Sequence, residues 1–195
     1  DRWHKLWVDS KTKDLRLVDV KDEFREVTKV QATEFITEGE QLKKKFMERG
    51  PGSSNVSLAE GNELLDEYTK VVHAMNEKKK ELKDAENMFN LPTTSYPALS
   101  DIEKEMEKLT AIYGIYREFK DFEEAQSSTL WGDLSIDTLQ VGVSDLEKKC
   151  KKFKIGRDTS TFKSVENAVS NFKESIPLIV NLKNDAMQVR PWEKL

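Results

Sequence analysis

The chain has 195 residues, of which 37% are hydrophobic and 35% are charged. This apolar fraction is enough for a packed core and excludes wholesale disorder, and the near balance of 32 basic and 36 acidic residues leaves no global field that would attract nucleic acid or an anionic membrane. No stretch approaches the roughly 18 apolar residues that a membrane span needs, and the single cysteine, Cys150, excludes an intramolecular disulfide.

A lone cysteine also fits a reducing intracellular compartment, and no apolar signal-peptide segment follows the first four residues. The first residue is Asp rather than Met, and the last residues follow an apolar tryptophan. We therefore expect the chain to be a segment of a longer protein.

The first 16 residues have no single periodicity. Trp3, Leu6 and Trp7 suggest a buried turn of helix, whereas Leu15 and Leu17 alternate as in a short strand. The two patterns conflict, so this stretch is left unassigned.

A first long helix is predicted from about residue 18 to residue 49. Its apolar residues keep roughly helical spacing; they are Val20, Phe24, Val27, Phe35, Leu42 and Phe46. The sequence Gly50-Pro51-Gly52 ends the helix, because a glycine C-cap followed by proline cannot continue it.

The start of a second helix is indicated by Ser57 and Glu60, which have the S-x-x-E spacing of a capping box. The helix then carries a seam with alternating spacings of three and four, which requires a partner helix. The seam residues are Leu65, Tyr68, Val72, Met75, Leu82 and Phe89, and Lys79 and Glu86 interrupt them. We predict an antiparallel hairpin of the first two helices.

Residues 91–97 form a predicted hinge. Pro92 and Pro97 lack a backbone N–H and bias the preceding residue away from helical geometry. Ser100 and Glu103 then repeat the capping box and predict a third helix. Its apolar stripe is the cleanest in the chain: Leu99, Ile102, Met106, Leu109, Tyr113 and Tyr116. We place a domain boundary here, between a helical hairpin of residues 1–90 and a helical bundle of residues 91–195.

The third helix is expected to end near residues 126–128, before a corner at Trp131-Gly132-Asp133. Two further helical stripes follow, separated by Gly156-Arg157-Asp158. The first contains Ile136, Leu139, Val143, Leu146, Cys150 and Phe153, and the second contains Phe162, Val165, Val169, Phe172, Ile176 and Ile179. Pro177 lies inside the second stripe and predicts a kink or a helix restart, after which residues 178–189 continue as helix.

The predicted fold class is therefore all-α: elongated antiparallel helical bundles of five to six helices with heptad-like seams. No α/β alternation supports a nucleotide-binding sheet. His4 and His73 are far apart and cannot form a zinc site with one cysteine. The sequence contains no G-x-x-x-x-G-K-[ST] motif, the pattern that would predict ATP binding. Cys150 is interpreted as a buried apolar residue because it lies within an apolar stripe.

An ordered series of short motifs resembles the dynein heavy chains. FMERGPG at residues 46–52 resembles F-x-x-x-G-P-G, AENMFNLP at 85–92 resembles A-E-x-L-F-x-L-P, and YPAL at 96–99 matches Y-P-x-L. IYGIY at 112–116 is similar to I-Y-x-L-Y, and TLW at 129–131 to the family's L-W corner. IPLI at 176–179 with LKNDA at 182–186 is similar to L-P-L-x-x-L-K-N-x-A, and RPWEKL at 190–195 to R-H-W-E-K-L with Pro191 in place of His.

This resemblance covers about residues 42–195 and is nearest to axonemal members, at the end of the tail and the start of the linker. It implies a non-catalytic, force-transmitting segment of an ATP-driven, minus-end-directed microtubule motor of cilia and flagella. No cofactor is expected in this segment, since ATP and Mg²⁺ sites and microtubule binding lie in distant parts of such chains. The implied partners are the rest of the heavy chain, intermediate or light chains, or a neighbouring heavy chain, and neither nucleic acid nor membrane. The implied location is the cytoskeleton of the axoneme.

The residues expected to act as structural hinge and anchors are Leu91, Pro92, Tyr96, Pro97, Tyr113, Tyr116, Trp131, Pro177 and Trp192. The two tryptophans are interpreted as core anchors at corners rather than as partner-binding residues. The alternative function is a free-standing, spectrin-like coiled-coil adaptor that binds cytoskeletal partners. AAA+ Walker motifs downstream in the reading frame would favour the motor.

A cluster of basic residues ends the fourth predicted helix, and we call it the lysine cluster; its members are Lys148, Lys149, Lys151, Lys152 and Lys154. Lysines at a helix C-terminus complement the helix dipole, so a solvated helix end is the first interpretation. The alternative is a docking patch for an acidic partner, such as an associated subunit or a tubulin surface.

Overall fold

The computed structural model describes residues 2–183, and this part of the chain contains five helices and no strand. The helices are α1 (Arg2–Arg49), α2 (Leu58–Met88), α3 (Pro97–Ser127), α4 (Ile136–Lys152) and α5 (Ser160–Leu182). The all-α prediction is thus confirmed. None of the described helices combines the length and apolar character of a membrane span. Trp192 and the predicted end of the last helix lie outside the described residues.

The chain divides into two compact units. The first contains the residues up to Glu48 together with Glu67–Lys104, and the second contains Arg49–Asp66 together with the residues from Glu105 onward. Helices α2 and α3 each contribute residues to both units. The domain boundary between residues 90 and 91 stays a prediction.

In the first unit, α1 and α2 form the predicted antiparallel hairpin. The Phe46 and Tyr68 rings meet edge to face with centroids 5.2 Å apart, and the Arg25 Nε donates a hydrogen bond of 3.0 Å to the Phe89 carbonyl oxygen. The late part of one helix therefore contacts the early part of the other, which confirms the antiparallel order.

The buried face of α1 differs from its predicted apolar face. Its buried residues recur at steps of four, three, four and seven, as a packed helix seam requires; they are Thr28, Ala32, Phe35, Gly39 and Phe46. The predicted seam residues Val20, Phe24 and Val27 are exposed, so that part of the prediction was wrong. Small residues replace large ones where helices approach closely: a Cβ added to Gly39 would lie 3.9 Å from the Ala98 Cβ.

The unassigned N-terminal stretch is helical and exposed throughout. Residues 2–24 continue α1 as regular helix, and each of them is exposed. The suggested buried turn is therefore wrong, since Trp3 and Trp7 keep 78% and 60% of their surface exposed. No element of the described chain covers them.

The predicted capping box at Ser57 is confirmed on its N-cap side, because the Ser57 Oγ accepts a hydrogen bond of 3.3 Å from the Glu60 N–H. The second capping box does not start α3. That helix begins at Pro97, because a proline at the first helical position lacks only an N–H that the helix does not use. Ser100 already lies inside it and donates its N–H to the Tyr96 carbonyl oxygen at 3.3 Å.

The apolar stripe of α3 is buried along its whole length, as predicted from Leu99 to Tyr116. In the second unit, α4 and α5 bury most of their predicted stripes, namely Leu139, Val143, Leu146, Cys150, Phe162, Val165, Val169 and Ile176. Of the two outcomes expected at Pro177, a kink or a helix restart, the restart does not occur, because α5 runs as one helix from Ser160 to Leu182. Burial of Ile176 beside the proline holds the helix in place despite the lost backbone hydrogen bond.

Candidate functional site

A tyrosine fixes the loop that ends α1, and we call this arrangement the loop clamp. The Tyr113 hydroxyl donates a hydrogen bond of 2.7 Å to the Pro51 carbonyl oxygen. The Tyr113 side chain is 1% exposed, and this burial raises the pKa of its hydroxyl to about 12. The phenol therefore stays protonated at neutral pH and remains a hydrogen-bond donor to the loop.

Two glycines make room for the loop clamp. A Cβ added to Gly61 in α2 would lie 1.9 Å from the Tyr113 Oη and 2.9 Å from its Cζ, so a side chain at that position would force Tyr113 to move. A Cβ at Gly52 would lie 3.4 Å from both methyl carbons of Leu109, which is ordinary contact. The steric requirement for glycine is thus strict at Gly61 and weak at Gly52.

An arginine in α3 adds a polar contact in the same unit. The Arg117 Nε donates to the Asn62 Oδ1 at 2.6 Å, and its Nη2 lies 2.7 Å from the Asp66 Oδ1. Both acceptors are in the first turns of α2, close in sequence to Gly61. These exposed contacts supplement the buried loop clamp, and each contributes little alone.

The segment between α2 and α3 is held by the C-terminal cap of α2. Asn90 has a φ of 53°, and the Leu91 N–H donates to the Glu86 carbonyl oxygen at 2.8 Å. A left-handed residue followed by this 6→1 hydrogen bond is the Schellman arrangement that ends many helices. The chain therefore leaves α2 in a defined direction before either proline of the predicted hinge.

A buried glutamate holds the middle of this segment. Glu86 is 2% exposed, and its Oε2 accepts a hydrogen bond of 3.0 Å from the Thr94 N–H. The sequence pattern treats Glu86 as an interruption of an apolar seam, but its carboxylate satisfies a backbone donor eight residues later. A buried polar group usually has such a partner.

Tyr96 packs the segment between α2 and α3 against α1. Its ring meets the Phe35 ring edge to face with centroids 4.9 Å apart. Burial raises the pKa of the Tyr96 hydroxyl, and the negative charge of Glu86 raises it further. Although Glu86 and Thr94 lie near this hydroxyl, it makes no hydrogen bond of good geometry within residues 2–183.

The other predicted hinge and anchor residues lie in different settings. Leu91 is half-buried, and Pro92 and Pro97 are exposed. Tyr116 is buried against Tyr113, with ring centroids 6.2 Å apart. Trp131 keeps 46% of its surface exposed at the predicted corner, so the expectation that it is a core residue was wrong.

Three members of the lysine cluster form ion pairs, and two form none among the described residues. Lys148, Lys149 and Lys151 pair with Asp145, Glu118 and Glu147 at 3.0, 2.6 and 2.9 Å. Lys152 and Lys154 have no such pair in the described part of the chain. The positive charge available to a partner therefore comes mainly from Lys152 and Lys154.

Glu147 connects the lysine cluster to α5. It accepts hydrogen bonds from the Nζ of Lys173 at 2.7 Å and of Lys151 at 2.9 Å. These hydrogen bonds lower the pKa of the Glu147 carboxyl from its ordinary value of 4.5 to about 2. The hydrogen bond from Lys173 makes the largest contribution to this shift. The charged carboxylate is therefore the form that favours the folded state.

We expect stability to depend on Glu147 in acid. Because the folded pKa is depressed, its contribution is present above pH 4.5 and is lost as the pH falls from 4.5 towards 2. Glu147→Gln should reduce the loss of folding stability over this pH range. The effect should be small because the ion pairs of Glu147 with Lys151 and Lys173 are solvent-exposed. The measurement is the urea midpoint between pH 6 and pH 2, the range that brackets this shift. The exposed Glu174→Gln is the control, and equal profiles for both variants would contradict the prediction.

Cys150 is buried between the lysines, as predicted for a structural residue. Burial, with smaller effects of Glu166 and Glu147, raises the pKa of its thiol, so the reactive thiolate is disfavoured. Among residues 2–183, no group of His, Cys, Asp and Glu side chains could hold a metal ion.

Comparisons with known proteins point to one family. The model of the family described as dynein heavy chain, N-terminal region 2, matches residues 99–195. Dynein axonemal heavy chain 10 of Homo sapiens is 35% identical over 99% of this chain and 4% of its own length. The dynein-1-alpha heavy chain of the flagellar inner arm I1 complex of Chlamydomonas reinhardtii is 30% identical over the same shares. The chain spans about 4% of the length of these curated relatives.

Proposed function

The chain belongs to the axonemal dynein heavy chains, as a segment of their N-terminal region, and from this premise we propose that it is a non-catalytic element that transmits force within the motor. The names of its relatives include axonemal and flagellar heavy chains, and the corresponding location is the axoneme of a cilium or flagellum. ATP hydrolysis and microtubule binding are assigned in this proposal to other parts of the heavy chain.

The observation that carries the proposal is the role of the landmark residues in the fold. Pro51, Tyr96 and Tyr113 belong to the motifs that resemble the family, and the two tyrosines are buried. Tyr113 holds the Pro51 carbonyl, and Tyr96 packs on Phe35. Residues that fix loops and helix ends support a mechanical role, because a segment that transmits force must keep its geometry. Similarity to heavy chains along 99% of the sequence favours this role over a free-standing adaptor.

The test uses a full-length heavy chain that carries this segment. Gly61→Ala, which disturbs the loop clamp, should slow microtubule gliding while the motor's ATP turnover is retained. Gly114→Ala is the matched control, because no atom lies within 4 Å of the added Cβ. Normal gliding with a measurably weakened segment would overturn force transmission. ATP hydrolysis by the 195-residue chain alone, dependent on Mg²⁺, would overturn the non-catalytic part.

We further propose that Lys152 and Lys154 bind an acidic surface of another dynein component. The charge that is not neutralised within the described chain supports this, and the position at the end of α4 leaves both side chains exposed. Lys152→Glu with Lys154→Glu should weaken co-purification with intermediate, light or neighbouring heavy chains. Lys44→Glu with Lys45→Glu, exposed on α1, is the control with the same change in charge. Equal recovery of every component with both double variants would exclude the docking role.

A further inference from the structure

The loop between α4 and α5, residues 153–159, is fixed at both ends. On the α4 side, the Phe153 N–H donates hydrogen bonds of 3.0 and 3.2 Å to carbonyl oxygens in the last turn of the helix. On the α5 side, the Thr159 hydroxyl donates to the Gly156 carbonyl oxygen at 2.6 Å and accepts from the Phe162 N–H at 3.3 Å. The α4–α5 loop therefore has a defined shape before any partner binds, which lowers the entropy cost of binding.

Packing holds the backbone of the α4–α5 loop against its own unit. The Phe153 ring stacks on the Phe162 ring with centroids 5.4 Å apart and planes 10° from parallel. Gly156 has a φ of 70°, a left-handed conformation that favours glycine, and a Cβ added to it would lie 3.4 Å from the Ile112 Cδ1. Ile155 comes directly before this glycine and is 56% exposed. The fixed backbone thus presents an apolar side chain to solvent.

Unpaired positive charge surrounds that side chain. Residues 152–163 contain one acidic residue, Asp158, and four basic ones. The four basic side chains are exposed and form no ion pair within residues 2–183; they are Lys152, Lys154, Arg157 and Lys163. Lys152 and Lys163 each adjoin one ring of the stacked phenylalanine pair, so the four cations lie at the same end of the α4–α5 hairpin.

The loop lies at the other end of α5 from the point where the described chain continues. Helix α5 runs from Ser160 to Leu182, a length of about 33 Å at 1.5 Å per residue. The backbone beyond Lys183 therefore leaves the unit about six turns away from the four cations.

The combination of charge and apolar character restricts the kind of partner. A single exposed apolar residue is ordinary on a protein surface, and lysines alone attract any anion. Ile155, however, lies between Lys154 and Arg157 on a loop of fixed shape, and its β-branched side chain has few rotamers to lose. Arginine also pairs with a carboxylate through two parallel hydrogen bonds, which fixes the position of the acid. The arrangement fits a partner that brings carboxylates and an apolar side chain together.

We propose that the α4–α5 loop binds an acidic segment of another protein chain, in which an apolar side chain contacts Ile155 and neighbouring carboxylates pair with Lys154 and Arg157. This inference rests on the proposed docking role of Lys152 and Lys154, and it adds the apolar contact that separates one acidic partner from another. The charges speed association with any acidic surface. Burial of Ile155 requires an apolar residue at the matching position.

The test measures fluorescence anisotropy with the full-length heavy chain and two labelled oligoglutamate peptides of equal length. One peptide has a central leucine, and the other has a central serine. The leucine peptide should bind about tenfold more tightly, because only its side chain can be buried against Ile155. Ile155→Ser should remove this preference. Val141→Ser, at an exposed apolar position of α4, is the matched control and should retain it.

The outcomes separate this inference from the docking role itself. Arg157→Gln should weaken both peptides alike and reduce the salt dependence, because it removes a charge and leaves the apolar contact. Equal binding of the two peptides to the unaltered chain, together with weaker binding to Lys152→Glu with Lys154→Glu, would overturn the apolar contact and leave the docking role. A leucine preference that persists in Ile155→Ser would also overturn the contact, since it would arise elsewhere in the heavy chain. Unchanged binding of both peptides to the double lysine variant would overturn both proposals.

Discussion

Gly61→Ala is expected to lower the free energy of unfolding by about 1–3 kcal/mol, although alanine is the better helix former. The added Cβ would lie 1.9 Å from the Tyr113 Oη and 3.3 Å from the Pro51 carbonyl oxygen. Tyr113 must therefore move, and its buried hydrogen bond to the loop is lost. Urea unfolding followed by circular dichroism gives the change in free energy.

The control and the rescue separate this clash from a general effect of Gly→Ala. Gly114→Ala lies on an exposed helical position with open space, so it should stabilise the chain by up to about 1 kcal/mol. Tyr113→Phe removes the oxygen that the new Cβ meets, and the double variant should lose less than the sum of the two single variants. Strict additivity would show that the two residues do not interact and that the loop clamp is misassigned.

Phe35→Ala should lower the free energy of unfolding by about 3–5 kcal/mol. The Phe35 ring is 1% exposed, and it lies 4.9 Å from the Tyr96 ring centroid with the Lys78 ammonium above its face. Truncation leaves a cavity in the first unit and removes the surface on which the segment between α2 and α3 is packed.

Chemical denaturation again gives the change, with Val30→Ala on the exposed side of the same helix as the control. That variant should change stability by less than about 0.5 kcal/mol. Faster hydrogen exchange at the Thr94 N–H in Phe35→Ala would show that the segment loosens together with the cavity. A loss below about 1 kcal/mol would mean that Phe35 is not part of a tightly packed core.

Helix existence could be predicted from the sequence because each described helix buries a periodic face. The stripe from Leu99 to Tyr116 could be predicted from the spacing and apolar character of its residues alone, and all six of them are buried. Ser57 could be recognised because capping is a local interaction between a hydroxyl and a backbone N–H three residues later. Such features depend on short sequence distances.

Features that depend on a partner element could not be predicted in the same way. Thr28 and Gly39 are buried because another helix approaches α1 there, and neither residue is apolar enough to mark a seam. Glu86 is charged, and only the folded chain shows that it faces the Thr94 N–H. Pro97 starts α3 although prolines also end helices, and the sequence alone does not distinguish the two roles.

The candidate site shows the same limit. The motifs around Pro51 and Tyr113 lie 62 residues apart, and nothing in either motif indicates that one side chain binds the other's carbonyl. Gly61 lies in none of the motifs that resemble the family. A glycine in a predicted helix was the available signal, since a helix tolerates glycine best where a side chain would collide.

The burial of Cys150 has a practical consequence for measuring motion in this protein. It is the only thiol of the chain, and burial both shields it and raises its pKa, so a maleimide dye should react with it slowly. Cysteines introduced at exposed positions can therefore be labelled selectively without replacing the native residue. Distances between two such dyes can then be followed in single molecules of otherwise unaltered sequence.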